Sequence, residues 1–143
     1  MGKDIQSCDL CINPGGAILW QSALYRVVRV DDAHYPGFCR IIWNDHVREM
    51  TDLDASHQAL LMRVVCAVES VVRQLFNPDK INLASFGNMV PHLHWHVIPR
   101  WRDDRHFPEP VWGSVRREGL APRPVVSDVV LAQAVSVALA NIK

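Results

Sequence analysis

The chain lacks any apolar run near the ~18 residues that a membrane-spanning helix requires, and residues 1–6 carry no export-signal pattern. These two absences lead to the expectation of a cytoplasmic protein with no membrane partner. An excess of either charge is also missing. Fifteen Lys and Arg face fifteen Asp and Glu, so no net field draws nucleic acid or an anionic surface. Lysine is scarce: three residues (Lys3, Lys80 and Lys143) stand beside twelve arginines, a balance that suits local, bidentate anion contacts more than diffuse charge. Cysteine is limited to Cys8, Cys11, Cys39 and Cys66. Without an export signal these are expected as thiols or metal ligands in a reducing compartment, not as disulfides. There is no Walker-type glycine loop and no internal repeat, which removes P-loop phosphate binders and repeat architectures.

What is present suits one core. A length of 143 residues can bury about two-thirds of the unfolded surface. Residues 24–31 and 38–43 are apolar, β-favouring runs separated by Asp-Ala-His-Tyr-Pro-Gly, and the Pro36-Gly37 pair marks the turn of a hairpin. A long amphipathic helix is predicted from about 54 to 76. Its stripe is Leu60, Leu61, Val64, Val65, Val68, Val71, Val72 and Leu75, with Asp54 as N-cap and Asn77-Pro78 as stop. Strands follow at 80–86 and 93–100, joined through Gly87-Asn88. Residues 101–124 carry four prolines and many charges and read as irregular, and Ser127 caps a final helix at about 127–142. The expected class is α+β: an antiparallel sheet with one long helix packed on it, an irregular Pro-rich segment and a C-terminal helix.

The most informative pattern is His92-Leu93-His94-Trp95-His96 followed by Val97-Ile98. On a strand, residues two apart share a face, so the three imidazoles meet while Leu93, Trp95 and Val97 turn to the core. A helix would scatter them. Crowded imidazoles resist double protonation, which favours the neutral form needed for nucleophilic attack. Gly87, Asn88 and Met89 precede this strand and can present backbone N–H groups to a phosphate, with the Asn88 amide added; a plain turn is the alternative for Asn88. Cys8-Asp9-Leu10-Cys11 admits a redox or a metal reading, and the βαβ context of a thioredoxin site is absent.

The pattern His-x-His-x-His-x-x, with every x apolar, resembles the histidine-triad family of nucleotide hydrolases and transferases. The likeness runs from about residue 8 to 100 in the order hairpin, long helix, strand, Gly turn and triad strand. It implies a histidine-triad nucleotide-binding domain at 1–110 and a C-terminal extension at 111–143. It further implies attack on an α-phosphate by His94 with a covalent nucleotidyl-histidine, oxygen contacts from His96, and a small-molecule nucleotide as partner. The substrate classes it implies are nucleoside phosphoramidates and dinucleoside polyphosphates. Asp31 or Asp32 is expected at the ribose, with a turn-solvating carboxylate as the alternative for either. Relatives with a Cys pair imply a structural zinc on Cys8, Cys11, His46 and His92, with no organic cofactor, and the family implies a homodimer. Met89 stands where relatives usually have Ser or Thr, Phe38 where they often have His, and Trp43 where they often have Pro.

The remaining residues carry less chemistry. Cys39 and Cys66 are expected in the core, and His34, His57 and His106 as solvated or capping groups. Arg100, Arg102 and Arg105 suit either a leaving group or a solvated loop partnered by Asp103 and Asp104. Trp101 and Trp112 suit a cover over the site or a contact with a second subunit. Two other functions stay open: a nucleotide-binding regulatory module with negligible turnover, and a zinc-binding protein whose histidines are all ligands.

Overall fold

The computed structural model describes residues 3–143; residues 1 and 2, part of the stretch read for an export signal, lie outside it. Two short helices, α1 (Lys3–Ser7) and α2 (Asp9–Ile12), lead into strands β1 (Ala17–Gln21), β2 (Tyr25–Arg29) and β3 (Cys39–Trp43). The long helix α3 (Ala55–Phe76), strands β4 (Lys80–Ala84) and β5 (His94–Arg100), and helix α4 (Asp128–Leu139) complete the chain. The five strands form one antiparallel sheet in the order β1-β2-β3-β5-β4. No described helix is long and apolar enough to cross a membrane.

The local chemistry accounts for these elements. Asp54 caps α3 by accepting from the His57 N–H at 2.8 Å, and Asn77, in the left-handed region at φ 46°, ends it. In the β2–β3 turn the Asp32 carboxylate accepts from the His34 N–H at 2.9 Å. Gly37 follows at φ 90°, and a Cβ there would lie 2.7 Å from the Phe76 ring. This glycine therefore lets the start of β3 run close against the end of α3.

Register divides the sheet into two faces. Cys39 pairs with Val97 and Ile41 with Trp95, while Arg40 pairs with His96 and Ile42 with His94. The Cys39–Ile41–Val97 face packs on the α3 stripe and on Leu131, Val135 and Leu139 of α4 in a single core. The opposite face places Val28 and Ile42 against Cys8 and Leu10. Arg26 holds this N-terminal segment down: its buried guanidinium donates to the carbonyls of Leu10 (2.6 Å), Pro14 (2.9 Å) and Asn13 (3.3 Å), and to Asn44 Oδ1 (3.1 Å).

Several expectations change. β1 is a strand the sequence reading did not contain; its alternation is interrupted by a register shift between Ile18 and Trp20. Strand β4 ends at Ala84 and β5 starts at His94, so both are shorter than expected, and α4 ends at Leu139. Cys39 is buried, and burial pushes its thiol up to about 12. Cys66 is exposed, because it lies on the solvent side of α3, off the stripe that Val64, Val65 and Val68 bury.

Candidate functional site

His94 and His96 lie on β5 and His92 in the bend before it. All three are buried, at 0%, 8% and 5% exposure for His92, His94 and His96. Backbone carbonyls orient two of them. The N–H at His94 Nδ1 donates to the His92 carbonyl at 2.6 Å, leaving Nε2 with its lone pair. The N–H at His92 Nε2 donates to the Trp43 carbonyl at 2.6 Å, which leaves Nδ1 as the free base. Neighbouring imidazoles are thus set to opposite nitrogens. The His94 and His96 rings meet edge to face, 4.9 Å apart. Burial holds all three below the usual histidine range, and for His96 burial, then His94 and Arg40, press it down to about 3. The cluster is neutral near pH 7.

His94 and His96 open onto a cleft of about 460 Å³ lined by Arg40, Phe86, Gly87, Asn88, Met89, Val90 and Trp112. Gly87 takes φ 81°, the left-handed conformation that turns the chain from β4 into this loop. Ser85 Oγ donates to the His94 carbonyl at 2.7 Å and ties the loop's start to β5. Met89 is 96% exposed on the rim. Trp112 stands edge-on to Phe86 at 4.9 Å and to His96 at 5.0 Å, between ring centroids.

The Pro-rich segment reaches the cleft because Asp104 anchors it. That buried carboxylate accepts from Arg100 Nε (2.8 Å), the Tyr35 hydroxyl (3.0 Å) and the backbone N–H groups of Trp101, His106 and Phe107 (3.0, 3.0 and 2.7 Å). Burial alone would raise its pKa; Arg100 and the N–H donors outweigh that and hold it at about 2. Arg100 is therefore a buried structural partner and not part of a solvated loop, since its remaining donors reach Asn82 and the Glu109 carbonyl. His106 is not isolated either; its Nδ1 lies 2.7 Å from the Tyr35 hydroxyl. Trp101 is in the core, beneath the Arg123 guanidinium at 4.3 Å.

The structure does not bring every candidate to this cleft. Asp31 and Asp32 line a separate one with Gly16, Ala17, Arg29, Val30, Pro36 and Asp128. Arg102 is exposed and Arg105 reaches His34 at 3.0 Å. Arg40, by contrast, escaped sequence reasoning. An arginine interrupting the apolar run of β3 was the available signal that this strand has a polar, ligand-facing side.

A second cluster lies at the head of the triad. Ligand atoms of Cys8, Cys11, His46 and His92 all fall within 4.8 Å of one another. His92 Nδ1 is 3.5 Å from Cys8 Sγ, 3.4 Å from Cys11 Sγ and 3.3 Å from His46 Nδ1, and Cys11 Sγ is 3.2 Å from His46 Nδ1. A tetrahedral ion with sulfur at ~2.3 Å and nitrogen at ~2.0–2.1 Å spaces its ligands by about 3.3–3.8 Å. The donor set and its spacing therefore fit a closed four-coordinate metal site. Burial, and then the neighbouring Cys8, push the Cys11 thiol up to about 11.

The comparisons agree with this architecture. The HIT domain family profile matches residues 15–103. A histidine triad protein from Bradyrhizobium japonicum is 30% identical, with a TM-score of 0.68 over 92% of this chain and 94% of its own. A Zn-bound histidine triad family protein from Mycobacterium smegmatis, 20% identical, shares the fold at a TM-score of 0.60 over 95% of both chains. A Mycobacterium tuberculosis protein named AP-4-A phosphorylase is 29% identical over 85 residues, which is 55% of this chain and 44% of that protein. The chain thus spans about half the length of this curated relative. By the profile match, over more than half its residues, and by its structural neighbours, the chain belongs to the HIT domain family.

Proposed function

We propose that this protein processes nucleotides at an α-phosphate, with His94 as nucleophile. The observation that carries the reading is the His94 Nδ1–H bond to the His92 carbonyl, which leaves a neutral, buried Nε2 beside the cleft. In the proposed step the Nε2 lone pair forms a bond to phosphorus while the bond from phosphorus to the leaving group breaks and that group takes the electron pair. The proton stays on His94 Nδ1, hydrogen-bonded to the His92 carbonyl, whose oxygen stabilises the positive charge of the nucleotidyl-imidazole. Water or phosphate then attacks the same phosphorus, the P–N bond breaks, and the pair returns to Nε2. In this reading the phosphoryl oxygens are received by Asn88, the N–H groups of Gly87–Val90 and His96, all of which line the cleft. The relative named AP-4-A phosphorylase supports dinucleoside polyphosphates as a substrate class beside nucleoside phosphoramidates.

We further propose zinc at Cys8, Cys11, His46 and His92. The Zn-bound neighbour and the ligand spacing support it. Cys8, Cys11, His46 and His92 would hold it, and when bound it would favour ionised thiols and staple the N-terminal segment to the bend before β5. The ligand cluster takes His92 alone of the three triad histidines, leaving His94 and His96 for chemistry. A regulatory module without turnover draws its only support from Met89, which puts no hydroxyl at the rim.

Incubation with a nucleoside phosphoramidate or dinucleoside polyphosphate, followed by acid-free intact mass measurement, should show one nucleotidyl adduct. His94→Ala should lose the adduct and at least about three orders of magnitude of turnover. An equal adduct in His94→Ala would falsify the assignment.

A further inference from the structure

We propose that Arg40 is the phosphate-binding cation of the cleft, completing a grip on substrate from the side opposite the Gly87–Val90 loop. The proposal rests on the nucleotide reading above and identifies the substrate's anionic phosphate as what this flank of the site recognises.

Strand order supplies the geometry. β5 lies between β3 and β4, so the triad histidines have Arg40 on one flank and the loop that follows β4 on the other. Arg40 is directly opposite His96 in the β3–β5 ladder and lines the same cleft as His94 and His96.

Arg40 differs in its partners from the two buried arginines, Arg26 and Arg100, and differs in place from Arg105, whose Nε is also unpartnered but which does not line this cleft. Arg26 spends its donors on three carbonyls and the Asn44 amide oxygen. Arg100 has Asp104, Asn82 and the Glu109 carbonyl. Arg40 makes one hydrogen bond, from Nη1 to the Gly15 carbonyl at 2.9 Å; its Nε is buried without a partner, and no carboxylate lies within ion-pair distance among the described residues. A half-buried guanidinium with no counter-charge is costly, and a bound anion would offset that cost. The other residues lining the cleft include no permanent positive charge. The Met89 side chain offers the phosphate no donor from its rim position. A planar fork beside the histidines matches two oxygens of one phosphate and keeps its charge at any physiological pH.

The competing role is a staple, in which Arg40 simply holds Gly15 and the N-terminal segment in place. Titration calorimetry with adenosine 5′-monophosphate and with adenosine separates the two. Arg40→Gln should weaken the monophosphate about ten- to a hundredfold, leave adenosine within about twofold, and respond to salt less than the wild type does. Arg40→Lys should recover part of the monophosphate affinity, and it decides the matter if the glutamine variant does not fold. The proposal is overturned by monophosphate affinity unchanged in both variants, by an equal loss for adenosine, or by no monophosphate binding to the wild type at millimolar concentration. The covalent reading fails separately. An Arg40-dependent monophosphate site with no His94 adduct keeps the cation and removes the nucleophile, whereas an adduct with Arg40-independent binding does the reverse.

Discussion

His96 shows how one residue's surroundings couple the site to stability. It faces His94, Arg40, Phe38 and Trp112, and burial with the first two holds its pKa near 3. The unfolded chain protonates the same imidazole near pH 6.5. Between about pH 3 and 6.5 the unfolded state therefore binds more protons, so stability falls as pH drops through that window and is fully present above it. One such group contributes up to about 1.4 kcal/mol per pH unit. Urea unfolding at pH 7.5, 6.0 and 5.0 should show a steeper acid loss in the wild type than in His96→Phe, and parallel slopes would remove His96 as the cause.

At the scale of elements, the irregular stretch after β5 is ordered by one carboxylate. Asp104 joins Arg100, Tyr35 and three backbone N–H groups, and through this anchor Trp112 is brought onto Phe86 and His96. Arg100 and Asp104 side chains are 3% and 0% exposed, so breaking the pair strands a buried charge. Asp104→Asn should cost about 3 kcal/mol of stability, and it should speed hydrogen exchange across residues 101–113 while sparing α3. Uniform exchange rates in that segment before and after substitution would show that the anchor is elsewhere. The same proline-rich composition that marks this stretch as irregular hid its anchor, because the partners of Asp104 come from the β2–β3 turn as well as from β5.

For the whole molecule, the N-terminal segment and the triad meet across a long sequence separation. Cys8 and Cys11 reach His46 and His92 only because Arg26 binds the carbonyls between and beyond the cysteines, and because β3 and β5 are neighbours. Zinc at this junction, as proposed, would make metal content and stability inseparable. Protein purified without chelator should hold close to one zinc per chain by elemental analysis, and Cys8→Ser should lose most of it together with several degrees of melting temperature. Zinc well below one per chain that is indifferent to Cys8→Ser would reject the site.

Much of the architecture was legible because its signals are local. The three-four spacing of the α3 stripe, the Asp54 cap and the Pro36-Gly37 turn each follow from neighbours in sequence. β1 was not, since its bulge breaks the period of two, and Cys66 was misassigned because composition near a stripe does not say which side a residue takes. The histidine alternation on its own determined that His94 and His96 would share one face of a strand, because pleating is a property of the backbone; His92 lies in the bend before it. Which nitrogen each imidazole presents depends on carbonyls of Trp43 and His92. That Arg40 would be the cation beside them depends on the register of β3 against β5. Those are distances between remote parts of the chain, and only packing the sheet decided them.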